Sequence, residues 1–409
     1  MISITKQKVV VIGHGSTSRL SLIRAAAELG CDVTVIVMAG YRPLTKQLDT
    51  TKPFDCYSNN VSNVLYCYRI DGERLIKLLL DKCAAPQQKV ILLPSSDFAA
   101  VMIDNNKDIL SHHFLFPQIA DSSKSVNFWM DKENQKELAR EIGLNVPDAH
   151  TVDIKGGSYS LPEGIAYPCF TKALLTLVGG KQCFNRCDSP EELCLVLNAI
   201  GQKRDARILV EDFKEIETEY AVLGFSDGKN VVIPGIIHLL VQTASHFGIA
   251  RTGEIMPVDG FEDLLEQFKQ YVLRMGFVGI FDIDFYLSDG KYYFGEMNLR
   301  FGGSGYAVTK MGVNLPAMMI KYLRGEDYSD MKALVTESAT YVNERMCEDD
   351  WYRGLITSAQ YRQIIDSVDI SFVKDDNDVI PLKMFHREHR INRIKKFVKK
   401  FVWKKLYSR

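Results

Sequence analysis

Glu296, Asn298 and Arg300 occupy alternate positions in FGEMNLRFGGSG (residues 294–305): a carboxylate, an amide and a guanidinium, followed by glycines. Successive side chains of a β-strand point to opposite faces, so this spacing would line one face with all three. An exposed edge strand gives the same pattern, and the upstream residues decide between the readings. GIFDIDFYLSDGKYYFGEMNLR reads as two strands joined at Asp289-Gly290, a hairpin signal. Pairing across that turn would bring Asp284 to the face of Glu296 and Asn298. Two carboxylates and an amide oxygen form a hard, oxygen-only set suited to Mg2+ rather than zinc, and Mg2+ so held completes its shell with substrate phosphates. Asp282 lies on the same face, and either aspartate could be the ligand; the twelve-residue separation from Glu296 favours Asp284. Arg300 could meet a phosphate or carboxylate bidentately. Phe294, Met297 and Phe301 argue that the segment is internal rather than a solvated hairpin face.

Parts of a nucleotide site occur upstream. Lys172 ends the strand AYPCFTK and is followed by Gly179-Gly180-Lys181. Mobile glycine amides can close over phosphates while Lys172 and Lys181 supply charge, although most lysines are simply at the surface. Glu211-Asp212-Phe213 follows the apolar strand Arg-Ile-Leu-Val with the character of a connector, and Glu219 stands eight positions after Glu211.

Two kinds of framework must position these groups. KVVVIGHGSTSRLSLIRAAAELGCDVTVIV is a strand, glycine turn, amphipathic helix and second strand, the βαβ unit of a parallel sheet. A dinucleotide reading of its turn fails: Ser18 replaces the third glycine of GxGxxG, and the second strand ends Val37-Met38-Ala39 without a ribose-binding acid. VILLPSSDFAA ends another strand in a polar turn, where open α/β sheets place their ligand crevice. From about residue 130 the style changes. A charged helix closes at Gly143 before Pro147, and short-turned strands, the helix FEDLLEQFKQYVLRMG and the hairpin follow, an antiparallel α+β pattern. The fold class expected is therefore α/β plus α+β: a parallel N-terminal domain at 1–125, a two-lobed domain at 126–330, an extension at 331–385 and a basic amphipathic helix at 386–409.

Composition limits the function classes. Of 409 residues, 46% are hydrophobic and 25% charged, ordinary for a globular chain with real cores. The first residues lack a signal-peptide pattern, and no run of about 18 apolar residues could span a bilayer. The nine cysteines follow no metal spacing; Cys183 and Cys187 are four apart with no second pair, so reduced thiols and a cytoplasmic protein are expected. Net charge is −1, but His386 to Arg409 holds ten Lys and Arg against one Glu, leaving −10 on the first 385 residues. In that tail Ile391, Ile394, Val398 and Phe401 share a helical face, widened by Phe397, Val402 and Trp403 and flanked by lysines. The face suits an anionic membrane surface, placing the protein peripherally at the inner face of the membrane. A docked helix with a solvated basic face is the competing reading, and nucleic acid is excluded because the acidic body would repel it.

In order and spacing, these parts resemble the ATP-grasp superfamily across roughly residues 8–325. They are the βαβ opening, LPSSD, MDK before GLNVP, FTK with its glycine loop, LVEDF with Glu219-Tyr220, and DIDF…GEMNLRFGGSG. GEMNLRFGGSGYAVTKMGVNLP most resembles stand-alone carboxylate–amine ligases of the D-aspartate ligase type. The resemblance implies that Lys172 and Lys181 hold the α- and β-phosphates of ATP, and that the backbone of Glu211, Asp212 and Phe213 receives adenine. It further implies that Glu219 takes the ribose, that Asp284, Glu296 and Asn298 bind one or two Mg2+ (Mn2+ can substitute), and that Arg300 faces the transferred phosphoryl group. The implied reaction joins a small-molecule carboxylate to an amine through an acyl phosphate, with a homodimer compatible and a cell-envelope or surface-polysaccharide role suggested by the tail. His238, Gln242, His246 and Arg251 fall where such ligases contact substrate, Arg251 being the best candidate for a substrate carboxylate; His14 and Asp97 are further candidates. The alternatives are a biotin-carboxylase-like enzyme, half-suggested by PLKMF at 381–385, and an ATP-binding regulator without turnover.

Overall fold

The computed structural model describes residues 6–42, 45–68, 71–121, 123–174, 183–243 and 246–391. Two compact units divide the chain: residues 1–117, 234–258 and 300–409 form one, and residues 118–233 and 259–299 the other. Each is assembled from separated segments, a division that differs from the four consecutive regions expected.

The first unit opens with β1 (Lys8–Gly13), β2 (Asp32–Ala39), β3 (Val61–Tyr68), β4 (Val90–Pro94) and β5 (Phe114–Leu115), a sheet in the order β3-β2-β1-β4-β5. All its pairings are parallel, and β1 and β4 are buried along their apolar lengths, as expected of strands covered on both faces. The helix Thr17–Glu28 begins at Ser16, whose side chain accepts from the Arg19 amide. Gly13 has a steric reason: a Cβ there would lie 2.1 Å from Ser95 Oγ.

The second unit begins with β6 (Gln118–Ile119) and the helix Lys132–Ile142, which closes at Gly143 in the left-handed conformation (φ 88°). β7 (Ala149–Ile154), β8 (Cys169–Ala173), β9 (Asn185–Cys187) and β10 (Ala206–Asp212) form an antiparallel sheet ordered β7-β10-β8-β9. One of its faces packs Ile208, Val210, Cys169 and Ala173 against Leu193, Leu197 and Ile200 of the helix Pro190–Gly201. The chain continues into β11 (Thr218–Ser226) and its partner β12 (Val231–Val232), then leaves for the first unit's hairpin, β13 (Ile236–Thr243) and β14 (His246–Met256). It returns through the helix Glu262–Met275 to β15 (Phe277–Ser288) and β16 (Lys291–Asn298). β15 is antiparallel to both β11 and β16.

The turn between β15 and β16 has Asp289 at φ 49° and Gly290 at φ 69°, the paired positive angles of the two-residue hairpin read from the sequence.

The first unit is completed by β17 (Ala339–Val342) beside β14, the helix Glu344–Tyr352, and β18 (Ile370–Ser371) parallel to β17. Its C-terminal segment is tied to the parallel-sheet domain. Arg24 donates to Asp378 (3.0 Å) and to the Val373 carbonyl (2.9 Å), and Asp378 in turn accepts from Ser58 (2.8 Å). A helix runs from Ile380 through Ile391, crossing the boundary expected at 385/386. Phe385 is buried with Leu20, Phe54 and Val373, and the Glu388 carboxylate accepts from the Phe54 amide at 3.2 Å. Residues 386–391 are therefore docked. Ile394, Phe397, Val398, Phe401, Val402 and Trp403 lie outside the described residues.

Arg19 is wholly buried. It donates to both oxygens of Asp55 at 2.6 and 2.8 Å and to the Gly13 carbonyl at 2.6 Å. Removing one partner of such a pair strands a buried charge. Asp55→Ala should lower unfolding stability by about 3–5 kcal/mol in urea titrations. An unchanged midpoint would show that the pair is dispensable.

Candidate functional site

In the second unit the β15–β16 register sets Asp284 opposite Glu296 and Asp282 opposite Asn298, placing all four oxygen-bearing side chains on one face. A bulge at Gly295 lets Phe285 face Phe294 while Ile283 faces Met297. Those apolar residues then share the opposite face, where Phe285 meets Phe268 (5.4 Å) and Phe294 meets Tyr271 (5.0 Å) of the helix Glu262–Met275. Glycine is required at the bulge, because a Cβ would lie 2.8 Å from the Asp284 carbonyl. Asp282 is buried, and Asp284, Glu296 and Asn298 are half-buried. Among the described residues no three His, Cys, Asp or Glu side chains form a ready-made cage. An all-oxygen face of this kind still fits Mg2+, which relies on phosphate and water for much of its shell.

Opposite that face the helix Lys132–Ile142 presents a polar edge. Lys132 pairs with Glu296. Gln135 donates its amide to the Met297 carbonyl (2.8 Å) and accepts from the Met297 N–H (2.8 Å), pairing both backbone groups of that β16 residue. Lys136 reaches Glu211 on β10, at 2.7 Å. Burial pushes the Lys132 ammonium down to about 8, assisted by Lys172 and resisted by Glu211 and Asp284.

Lys172 lies on β8, diagonal to Glu211, and their side chains meet at 2.7 Å. Burial opposes the charge of Glu211, but Lys172 and Lys136 outweigh it and hold the carboxyl down at about 2. The Glu211 side chain is thus the anchor of two lysines. The Asp212 amide donates to the Asp148 carbonyl (2.9 Å) and the Phe213 amide to the Pro168 carbonyl (3.0 Å), so within the Glu211–Phe213 backbone expected to receive adenine these two N–H groups are engaged by the fold. The Lys214 amide is the first beyond them with no protein acceptor among the described residues. Glu219 is half-buried on β11, opposite Tyr286. Gly179, Gly180 and Lys181 lie outside the described residues.

Arg300 departs from the expected alternation. β16 ends at Asn298, and Arg300 begins the last segment of the first unit, where it pairs with Asp97 at 2.7 Å at the head of the helix Asp97–Asn105. Arg251 on β14 pairs with buried Asp350 at 2.9 Å. His14 meets the Met38 carbonyl through Nδ1 at 2.7 Å. His238 lies on β13 opposite Glu254; Gln242 is placed by register opposite Ala250, and His246 opposite Thr243.

No protein-family model matches the chain. Among curated proteins, the carbamoyl phosphate synthase large chain of Halomonas eurihalina is 24% identical over 213 residues, covering 51% of this chain and 20% of that one. The corresponding chain of Thermotoga neapolitana is 27% identical over 219 residues, covering 52% and 20%. The match therefore spans about a fifth of the length of these relatives. Solved structures cover more. L-amino acid ligase from Bacillus licheniformis aligns at TM-score 0.60 with 17% identity over 82% of this chain and 79% of that one. The ADP complex of purK, N5-carboxyaminoimidazole ribonucleotide synthetase, aligns at 0.63 with 14% identity over 87% of each chain. The biotin carboxylase domain of Hydrogenobacter thermophilus 2-oxoglutarate carboxylase, a dimer with MgADP, ADP and bicarbonate, aligns at 0.64 with 17% identity over 82% and 74%.

The chain has the ATP-grasp fold.

Within this fold the residues missed from the sequence are those of one helix edge. Lys132, Gln135 and Lys136 are spaced i, i+3 and i+4, and MDKENQK carried that signal. In a helix so rich in charge the same spacing also describes a solvated face, and only burial separates the two.

Glu211 gives this site an acid dependence. Its folded pKa lies below the usual 4.5, so its pairing stabilises fully above about 4.5 and is lost as pH falls toward 2. Glu211→Gln should be less stable than wild type at neutral pH, with the gap in urea midpoints narrowing through that window. A gap independent of pH would contradict the ion-pair assignment.

Proposed function

We propose that this chain is an ATP- and Mg2+-dependent ligase that joins a carboxylate to an amine through an acyl phosphate, forming ADP. The observation that carries the reading is the second unit's juxtaposition of cations with an all-oxygen face, Lys132 against Glu296 and Lys172 against Glu211. Lysines held among acids can exchange those partners for phosphates when a metal arrives to satisfy the acids. Lys172 and Lys132 would hold nucleotide phosphates, the Lys214 amide adenine and Glu219 the ribose. Asp284, Glu296 and Asn298 would hold Mg2+, with Asp282 beside them. When bound, Mg2+ supplies charge neutralisation for the transferred phosphoryl group.

A carboxylate does not condense with an amine at neutral pH, because oxide would have to leave. Moving the γ-phosphoryl group of ATP onto the carboxylate gives an acyl phosphate, and the amine displaces phosphate from it. Arg300 would orient the carboxylate through its guanidinium, with Asp97 fixing that group beforehand. The charge of Arg251 is met by Asp350, which makes Arg251 the weaker substrate contact. Gly179 and Gly180, with Lys181, would close over the phosphates and keep water from the acyl phosphate.

The tail adds a location. No described helix is long and apolar enough to cross a membrane. The basic residues beyond Ile391 would attach the enzyme reversibly to an anionic surface, each contributing about 1 kcal/mol there. Such attachment would suit a lipid-linked cell-envelope or surface-polysaccharide precursor as substrate.

Glu296→Gln should abolish ADP release while sparing the fold, and Lys172→Ala should chiefly weaken ATP binding. Wild-type turnover by Glu296→Gln would remove the metal assignment. With the correct acid, hydroxylamine should trap a hydroxamate; carboxylate-dependent ADP release with neither adduct nor amide would favour a kinase or carboxylase. In co-sedimentation with anionic vesicles at low salt, the full chain should pellet and a chain ending at Ile391 should stay in solution. Equal behaviour of the two would remove the membrane role.

A further inference from the structure

Three charged side chains of the second unit stand in a row. Lys136 Nζ lies 2.7 Å from one oxygen of Glu211, and Lys172 Nζ lies 2.7 Å from the other. Exposure sorts the three: the side chains of Lys136 and Glu211 are each 3% exposed, and that of Lys172 is 20% exposed. The backbone under Glu211 is fixed, since β10 is hydrogen-bonded to β7 on one side and β8 on the other. Lys136 is equally fixed, one turn after Lys132 on a helix tied to β16 through Gln135.

We infer that Lys136 is a positioning residue for nucleotide binding: its charge offsets that of Glu211 and so leaves the Lys172 ammonium available to a phosphate. The inference rests on the nucleotide reading above. A buried carboxylate with a single lysine makes a neutral pair, and Coulomb attraction at short range in a poorly solvated setting would hold that lysine back from any other anion. With two lysines the group carries a net charge of +1, and the surplus sits at the exposed end, on Lys172. Lys136 is too buried to touch the ligand, so it acts only through Glu211. The same arrangement explains why an acid is tolerated beside a phosphate-binding lysine: Glu211 sets where the ammonium stands, and Lys136 cancels the cost to affinity.

A double-mutant cycle on the full chain tests this, reading Mg-ATP affinity by calorimetry beside urea unfolding. Lys136→Met should weaken ATP binding about tenfold or more, the scale of one charged contact. Adding Glu211→Gln to Lys136→Met removes the anion that traps Lys172, and affinity should return to within about threefold of wild type, well short of the cost of one charged contact. A purely structural trio would behave oppositely, the double variant binding no more tightly than Lys136→Met. Wild-type affinity in Lys136→Met, or no recovery in the double variant, overturns the inference while leaving the nucleotide reading intact. If Lys136→Met does not fold, the double variant decides by itself: near-wild-type affinity supports the inference, and a loss of about tenfold or more overturns it. A wild type that binds no ATP overturns both readings.

Discussion

One face of the helix Lys132–Ile142 holds the second unit's candidate chemistry in place. Lys132 meets Glu296, Gln135 completes the backbone hydrogen bonds of Met297, and Lys136 meets Glu211. These contacts join the strand that carries the oxygen ligands to the sheet that carries Lys172. The constraint is electrostatic before it is steric. Burying Lys132 and Lys136 requires acids at close range, and burying Glu211 requires the lysines. Each group is tolerable only because the others are present, so the site's geometry and its charge balance are one property.

Apolar packing supplies the rigidity this needs. The bulge at Gly295 turns Phe294 and Met297 to the same side, and the aromatic contacts with Phe268 and Tyr271 fix the hairpin from behind. On the other sheet, Ile208 and Val210 are clamped by the helix Pro190–Gly201. The polar side chains project from strands that cannot shift without opening a core, which is how a binding site keeps its preorganisation.

The first unit uses buried charge differently. Arg19 with Asp55, and Arg24 with Asp378 and Ser58, join segments far apart in sequence, and the Glu344 carboxylate accepts three backbone N–H groups from Phe372, Val373 and Lys374. Burial pushes the Glu344 carboxyl up while those N–H groups pull it down. The helix from Ile380 is held by the same kind of contact, His386 and His389 both meeting Glu348. Residues 386–391, read from the sequence as the start of a separate basic helix, are therefore part of the body of this unit.

The sequence by itself determined the parallel opening, the hairpin turn at Asp289-Gly290, the helix stop at Gly143 and the shared strand face of Asp284, Glu296 and Asn298. Each rests on short-range rules: strand alternation, positive-φ turns and helix capping act within a few residues. Tertiary structure decided the rest. Whether Lys136 is a surface lysine or a buried partner depends on β10, more than seventy residues away. That the amides of Asp212 and Phe213 are occupied depends on where Asp148 and Pro168 fall. Arg300 follows Asn298 by two residues, yet the strand ends between them and Asp97 takes its charge, a partner no local pattern could name. Burial and ion pairing are properties of distant segments brought together, so a charged residue's spacing can suggest its face but not its partner.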